Sequence, residues 1–178
     1  MDNLSLYEID KENNSDHVAT PRYVVEDIYE LINITQFKMI WLPFDNYDSQ
    51  FKLKADELKL EYIATHIFDD LGRDFLYTCP PQGCDLMISN PPFSKQNDII
   101  KRSFDLVDAG HIKSFALLLP LSTLETRSRA DMYDKYKDKI SIIIFKNRVK
   151  FLGYNTSYNK ACCWICYNIE GVPPLRWI

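Results

Sequence analysis

Asp85-Leu86-Met87-Ile88-Ser89-Asn90-Pro91-Pro92-Phe93 decides how the rest of the chain is read. The uncharged run is short enough for a buried strand, and Asn90-Pro91-Pro92 closes it at once, because proline fixes φ at about −65° and has no N–H to continue a ladder. Downstream, residues 96–109 regain helical spacing through Ile99, Ile100, Phe104 and Val107, and residues 115–119 read as another buried strand. Upstream, residues 38–43 read as a strand ended by Pro43. Residues 49–60 follow as a helix with Phe51, Ala55 and Leu58 on one face, and residues 61–67 as a second strand. Turn chemistry fills 69–83. Thr20-Pro21 opens the first helix, with a hydroxyl able to cap it and a proline suited to its first turn; Val24, Val25, Ile28, Leu31 and Ile32 follow at helical spacing. After a helix-compatible stretch at 129–139, residues 140–145 and 161–169 are the last strands. This alternation predicts an α/β sandwich on a mainly parallel sheet, with the final strand pair antiparallel.

The 178 residues, 46% of them hydrophobic, suffice for one sizeable core. Residues 1–16 are acidic and aperiodic, which predicts a flexible arm ahead of a single domain over 17–178. The longest apolar runs, at 115–121 and 140–145, are far shorter than the roughly 20 residues of a membrane-spanning helix. With no readable export signal, the expected location is cytoplasmic. Cys79, Cys84, Cys162, Cys163 and Cys166 are an odd set without zinc-finger spacing, so ordinary thiols and no metal site are expected. The net charge of −4 is unevenly spread: residues 1–30 hold 8 acids and 2 bases, whereas residues 94–160 hold 7 acids and 13 bases. A basic downstream third is compatible with a phosphate-facing surface, and equally with a solvated lysine-rich face.

In open α/β sheets ligands bind beyond the carboxyl ends of the strands, which selects residues 43–49, 66–75 and 90–93. The last of these has a specific chemistry. An adenine amino group is a poor nucleophile because its lone pair is delocalised into the ring. The Asn90 side-chain oxygen and the Pro91 carbonyl can both accept hydrogen bonds from one such amine, localising the lone pair. Pro91 and Pro92 hold these acceptors in place, and Phe93 can stack on a planar base. An Asn-Pro turn with no chemistry is the other reading of these four residues.

On these residues the chain resembles the S-adenosylmethionine-dependent amino-group methyltransferases, most closely the DNA adenine-N6 enzymes, whose motif is Asn/Asp-Pro-Pro-Tyr/Phe after the fourth strand of a Rossmann-like sheet. The resemblance runs from Thr20 to about Trp164 and implies a class I methyltransferase fold with S-adenosylmethionine as cofactor. It implies that Thr20 and Pro21 contact the cofactor's methionine portion. In Gly72-Arg73-Asp74-Phe75-Leu76 it implies that Asp74 accepts the cofactor's adenine amine and Phe75 flanks its ring. Residues 147–152 are similar to the segment that presents an aromatic or basic group to the target base. The family's first-strand motif, Asp-Pro-Phe-x-Gly-x-Gly, is here Leu42-Pro43-Phe44-Asp45-Asn46-Tyr47-Asp48-Ser49. Its glycines are missing, which leaves Asp45 and Ser49 as polar contacts beside Pro43 and Phe44. Where the family has an acid for the ribose, His66 stands, with Asp69 and Asp70 close behind; a histidine that merely packs is the other reading.

The resemblance implies methyl transfer to adenine N6 in DNA, by a compact phage-type branch whose 178 residues leave no room for a large target-recognition domain. Arg102, Lys113, Arg127, Arg129, Arg148 and Lys150 are the candidate phosphate contacts. RNA adenine or a protein glutamine amide would suit the same motif, and a catalytically retired fold serving as a binding module is the non-enzymatic reading.

Overall fold

A computed structural model describes residues 19–68, 72–151 and 159–178. The arm at 1–16, Asp69, Asp70 and Leu152 lie outside the described residues. In chain order the elements are α1 (Arg22–Leu31), β1 (Ile40–Leu42), α2 (Gln50–Glu57), β2 (Tyr62–Ala64), β3 (Leu86–Ser89), α3 (Gln96–Asp108), β4 (Ser114–Pro120), α4 (Arg127–Lys135), β5 (Ile140–Ile144), β6 (Val149–Lys150), β7 (Asn159–Lys160), β8 (Cys162–Tyr167) and β9 (Leu175–Trp177).

Among the described residues, seven strands form one sheet in the order β2-β1-β3-β4-β8-β5-β9, and β6 and β7 pair as a separate ribbon. β2, β1, β3 and β4 are mutually parallel; β8 runs antiparallel between β4 and β5. The antiparallel final pair is therefore present as expected. The carboxyl ends of β1 to β5 share one edge, and the chain turns from β2 on one side of β1 to β3 on the other, so a topological switch point lies between β1 and β3.

Period-2 alternation assigns the two faces. Ile40, Leu42, Leu86, Ile88, Ala116, Leu118 and Trp164 meet Val24, Val25 and Ile28 of α1 and Phe51 and Ala55 of α2. Trp41, Met87, Phe115, Leu117, Leu119 and Cys163 face the other way, toward Ile99, Ile100 and Phe104 of α3. Both faces of the central strands are thus covered, which is why their sequences read as continuous apolar runs. Four cysteines are buried and Cys79 is exposed, all reduced; burial pushes the Cys163 thiol up to about 12, leaving it an inert core group.

Three local expectations change. α1 begins at Arg22 with Pro21 as its N-cap and no side-chain cap, so the Thr20 hydroxyl does not cap it. α2 ends at Glu57 because Lys59 takes a left-handed φ of 54° and the Leu60 N–H bonds back to the Ala55 carbonyl. α4 covers 127–135 rather than 129–139, its tail replaced by a 3-10 turn at Lys137–Lys139. β9 gave no periodic signal: three exposed residues follow Pro173-Pro174, and it is the pairing with β5 that makes them a strand.

Candidate active site

Ser49 caps α2 by accepting the Phe51 N–H at 3.1 Å, and this fixes where the loop over 43–49 ends. No residue of that loop has a positive φ; the described left-handed residues lie elsewhere, at Asn33, Lys59, Thr126, Asn168 and four glycines. The path needs no glycine conformation, which is how a loop without glycines is accommodated here. Pro43 is buried, and Phe44 packs on Phe75 with ring centroids 4.9 Å apart. Phe75 is 2% exposed and also meets Trp41 at 5.5 Å, so it forms a wall of the core beneath the loop rather than an open stacking face.

Asp45 lies in the loop after β1. Its side chain is 8% exposed, and its two carboxylate oxygens accept the hydroxyls of Ser49 and of Ser89, the residue before Asn90. Burial pushes its carboxyl up to about 6, against the opposing pull of the two hydroxyls and of Lys52. The carboxylate therefore spans from the β1 loop to the end of β3. Ser89 is the site residue that sequence reading missed, since nothing in a small residue at a strand end signals a partner forty-four positions away.

Asn90 is half-buried, with its side-chain oxygen shielded from solvent. Pro91 is buried, and among the described residues no backbone N–H bonds its carbonyl. The Pro92 carbonyl instead accepts the Lys95 N–H at 3.2 Å, closing a 3-10 turn over Phe93–Lys95 that leads straight into α3. Phe93 is 8% exposed and meets Phe151 edge-on at 5.8 Å, so the expected stacking ring lies in a wall shared with the segment after β6.

At the end of β2, His66 is buried and accepts the Phe68 N–H on Nδ1, while Ile67 and Phe68 expose apolar surface along the crevice edge. Asp74 forms a turn in which one carboxylate oxygen accepts the Leu76 N–H at 2.9 Å. Thr20 is buried, just before the N-cap residue Pro21.

The six candidate phosphate contacts do not share one face. Lys113 precedes β4 at the amino edge of the sheet and pairs with Asp85, at the opposite end from Asn90. Arg129 is buried and spends its guanidinium on the carbonyls of Ser122, Thr123 and Glu125 and on Asn97. Arg102 is half-buried on α3 and donates to the Thr78 carbonyl at 3.4 Å. Arg127, with its side chain 95% exposed and 4.0 Å from Asp131, opens α4 after β4, while exposed Arg148 and Lys150 follow β5, Lys150 within β6.

No protein-family model and no curated protein sequence matches this chain. Solved structures do match in fold. A modification subunit of a putative type I restriction enzyme from Vibrio vulnificus has a TM-score of 0.58 at 13% identity, over 94% of this chain and 47% of that one. A putative class I S-adenosylmethionine-dependent methyltransferase from Listeria monocytogenes has a TM-score of 0.51 at 16% identity, over 99% and 74%. The 23S rRNA methyltransferase ErmE has a TM-score of 0.51 at 11% identity, over 89% and 72%. This chain thus spans about half the length of the Vibrio subunit and about three quarters of the other two. The fold is that of the class I methyltransferases, Rossmann-like with a mainly parallel seven-stranded sheet.

Proposed function

We propose that the protein transfers the methyl group of S-adenosylmethionine to the exocyclic N6 amine of adenine in DNA. The observation that carries this reading is the seat of Asn90 and Pro91 at the carboxyl end of β3, beside the switch point, with the Asn90 oxygen shielded from solvent. The residues present suit the cofactor. Thr20 and Pro21 would meet its amino-acid end, the loop of Pro43, Phe44 and Ser49 its middle, and His66 its ribose. Asp74 would accept the adenine amine above the apolar wall of Phe44 and Phe75. When bound, this cofactor supplies a methyl carbon already activated by a sulfonium, so the protein's task is alignment and lone-pair localisation. The base would leave its stack and its amine would donate to the Asn90 oxygen and the Pro91 carbonyl, freeing the nitrogen lone pair for the methyl group that the cofactor supplies. The surplus proton passes to water.

Phe93 with Phe151 lines the base's entry, and Arg127, Arg148 and Lys150 are the backbone contacts. Base selection then falls to the loops after β4 and β5. Likeness in fold to a restriction-system modification subunit supports DNA, and likeness to an rRNA methyltransferase makes RNA the acceptor to test beside it. Incubation with methyl-labelled cofactor, unmethylated DNA and rRNA, followed by nucleoside digestion, tests the proposal. Label in N6-methyldeoxyadenosine is the expected result. Label in N6-methyladenosine alone, or none, overturns it.

A further inference from the structure

We propose that Asp45 is a positioning residue: its carboxylate ties the loop after β1 to the end of β3 and so sets Asn90 and Pro91 in line with the cofactor loop. This rests on the methyl-transfer reading. The backbone ladder between β1 and β3 ends at Trp41 and Met87, two residues short of Ser89, although β3 continues against β4 as far as Ser89 and Leu117. At the switch point, therefore, the two loops that must hold cofactor and target amine in register are not joined by main-chain bonds. The Asp45 carboxylate crosses that gap, taking Ser49 on one oxygen and Ser89 on the other. A buried carboxylate that accepts two hydroxyls is a charge-assisted clamp, and displacements of an ångström between reacting groups matter for transfer.

Protonation reverses one of these contacts, since an acid oxygen that carries hydrogen donates rather than accepts. The groups around the carboxylate are Tyr29 of α1, whose hydroxyl is engaged by the Phe51 carbonyl, and Lys52 of α2, with His66 on the next loop along the edge. Only Asp45 bonds to Ser89 among these. Burial lifts its titration toward about 6, so the clamp is complete above that pH.

The test is nuclear magnetic resonance of the full chain, following the Asp45 carboxyl carbon and the Ser89 and Asn90 backbone amides from pH 4.5 to 8. The Asn90 amide is expected to move with the midpoint of the Asp45 carboxyl. That step should vanish in the isosteric Asp45→Asn and in Ser89→Ala, whereas a step due to His66 would persist in both. An Asn90 amide that stays still while Asp45 titrates, or one that keeps its step in both variants, overturns the proposal. In turnover, Asp45→Asn should lower kcat about tenfold or more, with KM for the cofactor within about twofold, and remove the rise of kcat through the Asp45 midpoint. An unchanged kcat and pH profile also overturns it. A parent protein that methylates no adenine would sink the functional reading alone, because the resonance coupling is read without turnover.

Discussion

Asn90 and Asp45 show two uses of a polar side chain in a buried place. In the proposed transfer Asn90 offers an acceptor to the substrate amine, so Asn90→Ala is expected to lower transfer about 10²–10³-fold, the usual scale for losing one preorganised electrostatic contact. Cofactor affinity should stay within about twofold. Single-turnover transfer beside equilibrium binding checks this, and equal turnover by variant and parent would remove the mechanism.

Asp45 carries a stability cost instead. Its folded titration near 6 lies above the ordinary carboxylate value of 3.8, so the folded chain retains a proton that the unfolded chain has already released. This group's contribution is most favourable below about pH 4 and is lost through about pH 6, by on the order of 3 kcal/mol. Urea unfolding between pH 4 and 8 should show that decline in the parent and not in Asp45→Asn. A variant with the parent's decline would place the titration elsewhere.

At the scale of elements, one side chain gathers several carbonyls of the loop after β4, beside the Thr123–Tyr133 hydroxyl contact. Arg129 binds three carbonyls of residues 122–125 and reaches Asn97 in the first turn of α3, which grows directly out of the Asn90–Lys95 turn. Arg129→Ala strands buried carbonyls and is expected to destabilise the fold by about 3 kcal/mol, measured by denaturant midpoint; a loss under about 1 kcal/mol would contradict this role. The exposed cations behave differently. Replacing Arg148 and Lys150 with alanine should flatten the slope of log binding constant against log salt by about 0.9 per lost contact on duplex DNA, whereas Lys113→Ala, at the far edge, should leave it unchanged. Equal slopes for all three would take the phosphate face away from this edge.

The same contrast explains what was legible in the sequence. Central strands announce themselves because Leu86–Ser89 and Ser114–Pro120 are buried on both faces, and the Asn90-Pro91-Pro92-Phe93 turn is legible because its prolines end a strand locally. The separate places of Arg129 and Lys113 were not legible, because charge counted along a chain says nothing about which edge of a sheet a residue reaches. The Asp45–Ser89 contact and the strand at Leu175–Trp177 exist only through tertiary pairing.

For the whole molecule, the parallel strands carry residues 43–49, 65–68 and 90–93 to one edge, and the basic segments that follow β4 and β5 leave the sheet at that same edge, both on the β4 side of the motif. No helix among the described residues is long and apolar enough to cross a membrane. The proposed methyl transfer depends first on whether the glycine-free loop at the switch point holds the cofactor. Calorimetric titration with S-adenosylmethionine and S-adenosylhomocysteine tests this directly. One site per chain with micromolar affinity, retained in Asn90→Ala, is the predicted result; no binding, even with DNA present, would contradict the account and leave a methyltransferase fold that binds without catalysing.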